Sequence, residues 1–411
     1  MDREAVLVAL DVGTSKVVAL IGEVTRETGV TVIGKGSLAS SGLKKGVVIN
    51  IDQTVGSIRG AREAAERLSG YRIESAIVGI GGNHVESQNS RGAVAVSGAR
   101  REVSREDIDR ATEVARAVTI PSNREVLHVL PRGFVVDGQE GVKDPLGMSA
   151  IRLEVETHIV HASATAVQNL TKCVQRAEIR IDELVASSLA SGDAVLTDTE
   201  RELGVAVADF GAGTIDLALY MDGSPFYTKV LPLGGNNVTN DIAIGLKTSL
   251  TAAEELKIEY GTADPSSVDQ EEEVEVIGIG DGDSWTTSRY EMATIIEARM
   301  REVFEKIAEE ISHAGYAGML PAGVVLTGGA SQLAGAARLG REVMQSPVRI
   351  AGPSGVAGLT DHLLTPAFST SLGLLMFGAR SVQGYEPSRY ESGTTPGMLN
   401  RMRDWARGLL P

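Results

Sequence analysis

The stretch Asp209-Phe210-Gly211-Ala212-Gly213-Thr214-Ile215-Asp216 lies between two apolar runs, Leu203 to Ala208 and Ile215 to Met221. That arrangement describes a strand, a tight Gly-rich turn and a returning strand. Gly211 and Gly213 lack Cβ atoms, so backbone N–H groups there can come close to an anion. Thr214 adds a hydroxyl. Asp209 and Asp216 would repel a bare phosphate; they make sense beside a hard cation such as Mg²⁺ that carries its own waters. Alone, the octapeptide is equally a plain β-hairpin with a Gly bulge.

A second copy favours the first reading. Val6 to Ala9 are apolar, Asp11-Val12-Gly13-Thr14-Ser15-Lys16 follows, and an apolar run resumes from Val17 to Ile21. Asp11 and Gly13 mirror Asp209 and Gly211. Third strands are expected at Val30 to Ile33 and at Phe226 to Leu231. Each half thus opens strand, Asp-x-Gly turn, strand, turn, strand. Duplicated domains facing one another would present both turns to one ligand in the cleft between them.

A chain of 411 residues exceeds one compact core, and its 43 % apolar content suits packed domains. The net charge of −15 argues against non-specific nucleic-acid binding. The single cysteine, Cys173, has no partner for an internal disulfide and falls on the apolar side of a helical pattern with Val167, Leu170, Val174 and Ala177. It reads as a buried small residue in a reducing, cytosolic compartment. His158 and His161 lie in a strand-like run without metal spacing. The chain opens without a signal peptide, and no run of about 18 apolar residues marks a membrane span.

Further along, a helix is expected from Asp52 to a stop at Gly70, then a strand at Ser75 to Ile80. Residues 85 to 159 change character. Short strands at Val94 to Val96, Val126 to Leu130 and Phe134 to Val136, a helix capped by Ser104 with Asp107, a loop at Asp144 to Met148 and a strand at Ile151 to Val160 suggest an inserted α+β subdomain. Ser163 is expected to cap the next helix, Arg180 to Val185 to form a strand, and Leu189 to Leu196 to begin a connecting helix. In the second half a helical pattern runs through Val238, Ile242, Ile244 and Leu246, and Thr251 is expected to cap a helix carrying Glu254 and Lys257. The acidic, Gly-rich residues 264 to 283 read as a solvated surface hairpin before a long helix, Arg289 to Ala314. The apolar strand Gly323 to Thr327 then enters a further Gly turn, Gly328-Gly329-Ala330.

These three Gly turns, in this order, resemble the two phosphate motifs and the adenosine motif of the actin/Hsp70/sugar-kinase superfamily. Within it the chain is similar to the FtsA family of bacterial cell-division proteins. The stretches that carry the likeness are Asp11 to Lys16, Leu127 to Pro131, Val136 to Pro145 and Leu153 to His158. The likeness runs over residues 5 to 380, and residues 85 to 159 stand where that family places its own subdomain. The resemblance implies an α/β fold of duplicated actin-like (RNase H-like) domains. The first would take residues 1–84 with 160–196, and the second 197–380 with a subdomain at 236–314.

The resemblance also implies roles. Asp11 and Asp209 would hold Mg²⁺ through water. Gly13, Thr14, Ser15 and Lys16 would hold one side of the ATP phosphates, with Lys16 as counter-charge, and Gly211, Gly213 and Thr214 the other. Gly328, Gly329 and Ala330 would let the backbone pack on adenosine. Glu254 and Lys257, three apart on one helical face, would flank ribose and base; a surface ion pair is the alternative for these two. Actin carries a water-positioning Gln on its connecting helix, whereas Ala186 to Leu196 has none, so hydrolysis should be slow or absent. The family further implies self-assembly into filaments and binding of the C-terminal peptide of the tubulin-like protein FtsZ. The helix for that contact matches Ile296 to Glu302, where Arg299 and Glu302 share a face.

Residues 381–396 form a polar, Pro- and Gly-punctuated linker before a tail at 397–411. At 100° per residue, Met398, Leu399, Met402, Trp405, Ala406, Leu409 and Leu410 share an arc of about 140°, and Arg401, Arg403 and Arg407 lie outside it. Such a C-terminal amphipathic helix suits the surface of an anionic membrane, and the resemblance implies that this is the cytoplasmic face at a division site. A membrane-tethering adaptor therefore competes with two alternatives: a sugar-kinase-like enzyme, for which no catalytic base can be placed, and a pilus-assembly adaptor resembling PilM, which would be expected to lack the tail.

Overall fold

The computed structural model describes residues 5–25, 29–97, 101–278, 284–359, 362–383 and 391–392. The chain divides into two compact units, Met1–Glu86 with Ala166–Glu386, and one built on Ser87–Thr165.

The larger unit opens with strands β1 (Ala5–Val12), β2 (Lys16–Thr25) and β3 (Gly29–Ala39). Helix α1 (Ile51–Ser69) follows. Asn50 caps it by accepting from the Gln53 N–H, and Gly70 ends it in the left-handed region at φ 72°. Strand β4 (Ser75–Ile80) lies parallel to β1.

In the smaller unit, β5 (Glu86–Ala95), α2 (Arg105–Arg116), β6 (Arg124–Val136), β7 (Gln139–Val142) and β8 (Arg152–Ser163) surround a core of Val103, Ala111, Phe134, Leu153 and Val155. The Ser104–Asp107 capping box is present. The two strands expected on either side of Pro131 are one continuous β6. Pro131 faces Thr157 next to a register shift at Glu156/Thr157, where a missing N–H is tolerated. Ser163 is the last residue of β8.

Helix α3 (Ala164–Arg176) leads to β9 (Arg180–Ala186) and the connecting helix α4 (Ser187–Val195). Cys173 is buried, as its pattern predicts. A short helix not expected from the sequence, α5 (Asp198–Leu203), follows; Thr197 and Glu200 form its capping box. Then come β10 (Val205–Phe210), β11 (Ile215–Met221) and β12 (Ser224–Leu231). Helices α6 (Gly235–Gly245) and α7 (Leu250–Tyr260) follow. The cap of α7 is Ser249, not Thr251: the Ser249 hydroxyl accepts from the Ala252 N–H.

A hairpin of β13 (Glu273–Ile277) and β14 (Ser284–Ser288) precedes α8 (Arg289–His313). This hairpin is not wholly solvated. Val274 and Val276 alternate inward and join a core with Ile242, Ala253, Met292 and Ile296. Strand β15 (Val324–Thr327), α9 (Ala336–Met344), β16 (Val348–Ile350), β17 (Val356–Gly358), α10 (Ser369–Gln383) and β18 (Glu391–Ser392), which pairs with β6, complete the order. The expected linker at 381–396 is therefore helical at its start and carries a short strand.

The duplication is explicit in the sheets. In one, strands run β9-β4-β1-β2-β3, with β17 added beside β3. In the other they run β16-β15-β10-β11-β12. In both, the first three strands of the half are antiparallel and the last two are parallel to the first. Helices α4 and α10 pack against each other, and α10 lies on β1, β2 and β4.

Candidate functional site

The two Asp-Gly turns are built alike. The last rungs are Val12↔Val17 in one hairpin and Phe210↔Ile215 in the other, so both turns stand clear of the strand ladders. The Gly13 N–H donates to the Lys16 carbonyl at 3.0 Å, and the Gly211 N–H to the Thr214 carbonyl at 3.0 Å. The turns meet: a Cβ on Gly213 would lie 2.8 Å from the Thr14 hydroxyl oxygen. The cleft there has a volume of about 750 Å³.

All the residues proposed to hold a nucleotide line this cleft: Asp11, Gly13, Thr14, Ser15 and Lys16 from the first turn, Asp209, Gly211, Gly213 and Thr214 from the second, Glu254 and Lys257 from α7, and Gly328, Gly329 and Ala330. Parallel pairing of β15 with β10 sets Thr327 beside Asp209, which delivers the third Gly turn to the second. Gly328 has φ 84°, and a Cβ there would lie 2.4 Å from Asp209 Oδ1, so only glycine fits.

Carboxylates crowd the cleft floor. Burial pushes the Asp11 carboxyl up, against a hydrogen bond from Ser371 and the Lys16 charge. Burial raises Asp209 to about 6 and Asp216 to about 8, and neighbouring carboxylates add to both. Thr214 Oγ1 donates to Asp216 Oδ2 at 3.0 Å, but Asp216 Oδ1 is buried without a hydrogen-bond partner. A cation in the cleft would relieve this repulsion. Among the described residues no three His, Cys, Asp or Glu side chains converge closely enough to grip a metal directly. Lys16 is the opposing charge; its Nζ sits 3.6 Å from the centre of the Phe368 ring, and burial lowers its pKa.

At the other end Lys257 Nζ donates to Glu254 at 2.6 Å, to the Thr239 hydroxyl at 2.9 Å and to the Gly235 carbonyl at 3.3 Å. The Lys257 end of the pair is largely buried, so it is more than a solvated surface contact.

Sequence reasoning left several lining residues unassigned. Asp216 was set beside a hard cation with Asp209 but was not among the residues assigned to it, and Thr370 and Ser187 carried no signal. Gly235 and Asn236 open α6 against the second turn: the Gly235 N–H donates to the Gly211 carbonyl and the Asn236 N–H to the Ala212 carbonyl. The Gly234-Gly235 pair was the available signal, since a Cβ on Gly234 would lie 2.4 Å from the Ala212 carbonyl oxygen. A helix N-terminus lining the cleft favours an anion.

Outside the cleft, Arg299 and Glu302 do share a face of α8 and pair with each other. Arg299 also forks onto Asp241 of α6, its Nη2 donating to Oδ1 at 3.0 Å. Met398, Leu399, Arg401, Met402, Arg403, Trp405, Arg407, Leu409 and Leu410 lie outside the described residues. Among the described residues no helix is long and apolar enough to cross a membrane.

The family model for the cell division protein FtsA matches residues 206–373, and that for the SHS2 domain inserted in FtsA matches residues 82–161. The cell division protein FtsA of Pseudomonas aeruginosa is 44 % identical over 98 % of this chain and 97 % of its own length. Among solved structures, the PilM–PilN type IV pilus biogenesis complex superposes with a TM-score of 0.65 at 19 % identity, over 91 % of this chain and 98 % of that one. MreB5 of Spiroplasma citri bound to ADP superposes at 0.54 and 12 % identity, over 92 % and 98 %. These two likenesses establish an actin-like fold and nothing finer. With two actin-like halves, a subdomain inserted in the first of them and 44 % identity over 98 % of its length to a relative of that family, the chain belongs to the FtsA family of cell division proteins.

Proposed function

We propose that this chain binds Mg²⁺-ATP between its two halves, assembles with copies of itself, and tethers FtsZ to the cytoplasmic face of the membrane at the division site. The observation that carries the nucleotide reading is the meeting of the two Asp-Gly turns in one cleft whose crowded carboxylates call for a cation. Asp11 and Asp209 hold the hydrated cation. The turn amides, Lys16 and Thr214 take the phosphates, and the positive end of the α6 dipole favours their charge. Gly328, Gly329 and Ala330 lie against adenosine, with Glu254 and Lys257 beside ribose and base. Bound Mg²⁺ supplies neutralisation of phosphate charge. Of α4, Ser187 lines the cleft, and its short hydroxyl is a poor substitute for a long amide in orienting water, so turnover is slow.

Calorimetry tests the site. Asp209→Ala should abolish Mg²⁺-ATP binding by removing one of the two metal-facing carboxylates. Gly329→Val should do the same by filling the space for adenosine, because a Cβ there meets only Ala367 at 3.8 Å and leaves the fold undisturbed. Wild-type affinity in both variants would sink the assignment. For the partner, Arg299 and Glu302 together receive the FtsZ peptide, which takes over part of the Arg299–Asp241 fork. Arg299→Glu should weaken peptide binding by about tenfold, the worth of one charge-assisted hydrogen bond. Unchanged peptide affinity by fluorescence anisotropy would remove this placement.

A further inference from the structure

The two carboxylates assigned to the cation come from different halves, yet both are held by one short stretch far away in sequence. Thr370 Oγ1 donates to Asp209 Oδ2 at 2.6 Å, and Ser371 Oγ donates to Asp11 Oδ2 at 2.9 Å. The donors are consecutive residues in the first turn of α10. Successive helical side chains point about 100° apart, which is what lets neighbours reach opposite walls. The turn itself is fixed. Ser369 Oγ lies 2.6 Å from Thr327 Oγ1, the Gly328 N–H donates to the Pro366 carbonyl at 3.0 Å, and Leu372, Leu374 and Leu375 are fully buried.

We propose that Thr370 and Ser371 are positioning residues for the bound cation and its nucleotide. Each hydroxyl holds one oxygen of a carboxylate, with Ser191 adding a second hydrogen bond to Asp209, and so fixes the orientation in which the carboxylate meets the hydrated metal. Because both donors sit on one rigid turn, they set the separation of the two carboxylates across the cleft as well as their orientation. The inference rests on the Mg²⁺-ATP reading above and extends it to residues outside the Gly turns.

The test separates metal from nucleotide. ATP binding to the full chain is measured by calorimetry in EDTA and across a Mg²⁺ titration. Thr370→Val and Ser371→Ala delete the hydroxyls; Thr370→Ser and Ser371→Thr retain them. Each deletion should raise the Mg²⁺ concentration needed for half of the affinity gain by roughly tenfold, the worth of one hydrogen bond to a charged group. Affinity in EDTA and the melting temperature should stay at wild-type values, and the hydroxyl-retaining variants should restore the Mg²⁺ dependence. A wild-type Mg²⁺ requirement in both deletions overturns the proposal. So does a deletion that unfolds the chain or weakens binding equally in EDTA, because the hydroxyls would then be structural ties. If the wild-type chain shows no Mg²⁺-dependent ATP binding at all, it is the nucleotide reading that fails.

Discussion

At the scale of single residues, buried acids whose burial is only partly compensated decide how the protein responds to pH. Glu183 on β9 sits at a register shift against β4, with Oε1 buried and without a hydrogen-bond partner. Burial raises its pKa to about 7. The sign follows from proton counting. Between pH 4.5 and 7 the folded chain keeps a proton that the unfolded chain releases, so stability falls as pH rises through that window and levels off above it. Glu183→Gln removes the charge and keeps the shape. It should be more stable than wild type by about 1–2 kcal/mol at pH 8, with the difference shrinking as pH falls toward 4.5. Urea unfolding at pH 5 and pH 8 checks this, and an equal difference at both would refute it. No such burial was legible in the sequence, where Glu183 stands in an ordinary alternating strand. The Gly turns were legible because close backbone approach leaves a local mark: no Cβ can stand at Gly213 or Gly328 without displacing Thr14 or Asp209. Thr370 and Ser371 left no mark, since a hydroxyl that meets a carboxylate through tertiary contact alone has no sequence neighbour to reveal it.

At the scale of elements, local chemistry predicted some ends but placed the cap of α7 two residues late, and it predicted continuity poorly. The stop at Gly70 and the box of Ser104 with Asp107 are short-range hydrogen-bonding problems that the sequence poses directly. Strand β6 runs through Pro131 because its partner strand shifts register there, which no property of Pro131 itself announces. Helix α5 could have been found, since Thr197-x-x-Glu200 is a capping box in plain view. The box on α2 does more than end a helix. Asp107 is fully buried and accepts from the Ser97 hydroxyl at 2.7 Å, the Ser97 N–H at 3.1 Å and the Ser104 N–H at 2.9 Å, with Arg110 as counter-ion. Asp107→Ala leaves these donors unpaired in the smaller unit and should destabilise it by about 2–4 kcal/mol. Hydrogen exchange on the full chain should speed up across residues 87–165 and stay near wild type at β10 and β11. Equal acceleration in both would mean that the units do not unfold separately.

At the scale of the whole molecule, charge sets body and tail against each other. The tail carries three Arg and one Asp within a chain of net −15, so residues 1 to 397 carry −17. On the proposed tethering, an anionic membrane would repel that body and the tail alone would have to hold it. The apolar attraction would come mainly from burying Trp405 with Met402 and Leu409. Arg401, Arg403 and Arg407 add about 1 kcal/mol each near an anionic surface. One such helix binds weakly and reversibly, so assembly of the bodies would add the tails together. Trp405→Glu should therefore release the protein from anionic liposomes while ATP affinity stays at the wild-type value, because the residues assigned to the nucleotide all lie between Asp11 and Ala330. Salt should weaken wild-type flotation only in part. Screening removes the Arg attraction and the repulsion of the body together, and leaves the apolar contribution intact. Deleting residues 397–411 should leave a folded chain that binds ATP and no longer floats. A truncated chain that still floats, or one that unfolds, would show that the tail is not an independent anchor, and tethering would then have to be sought on the body.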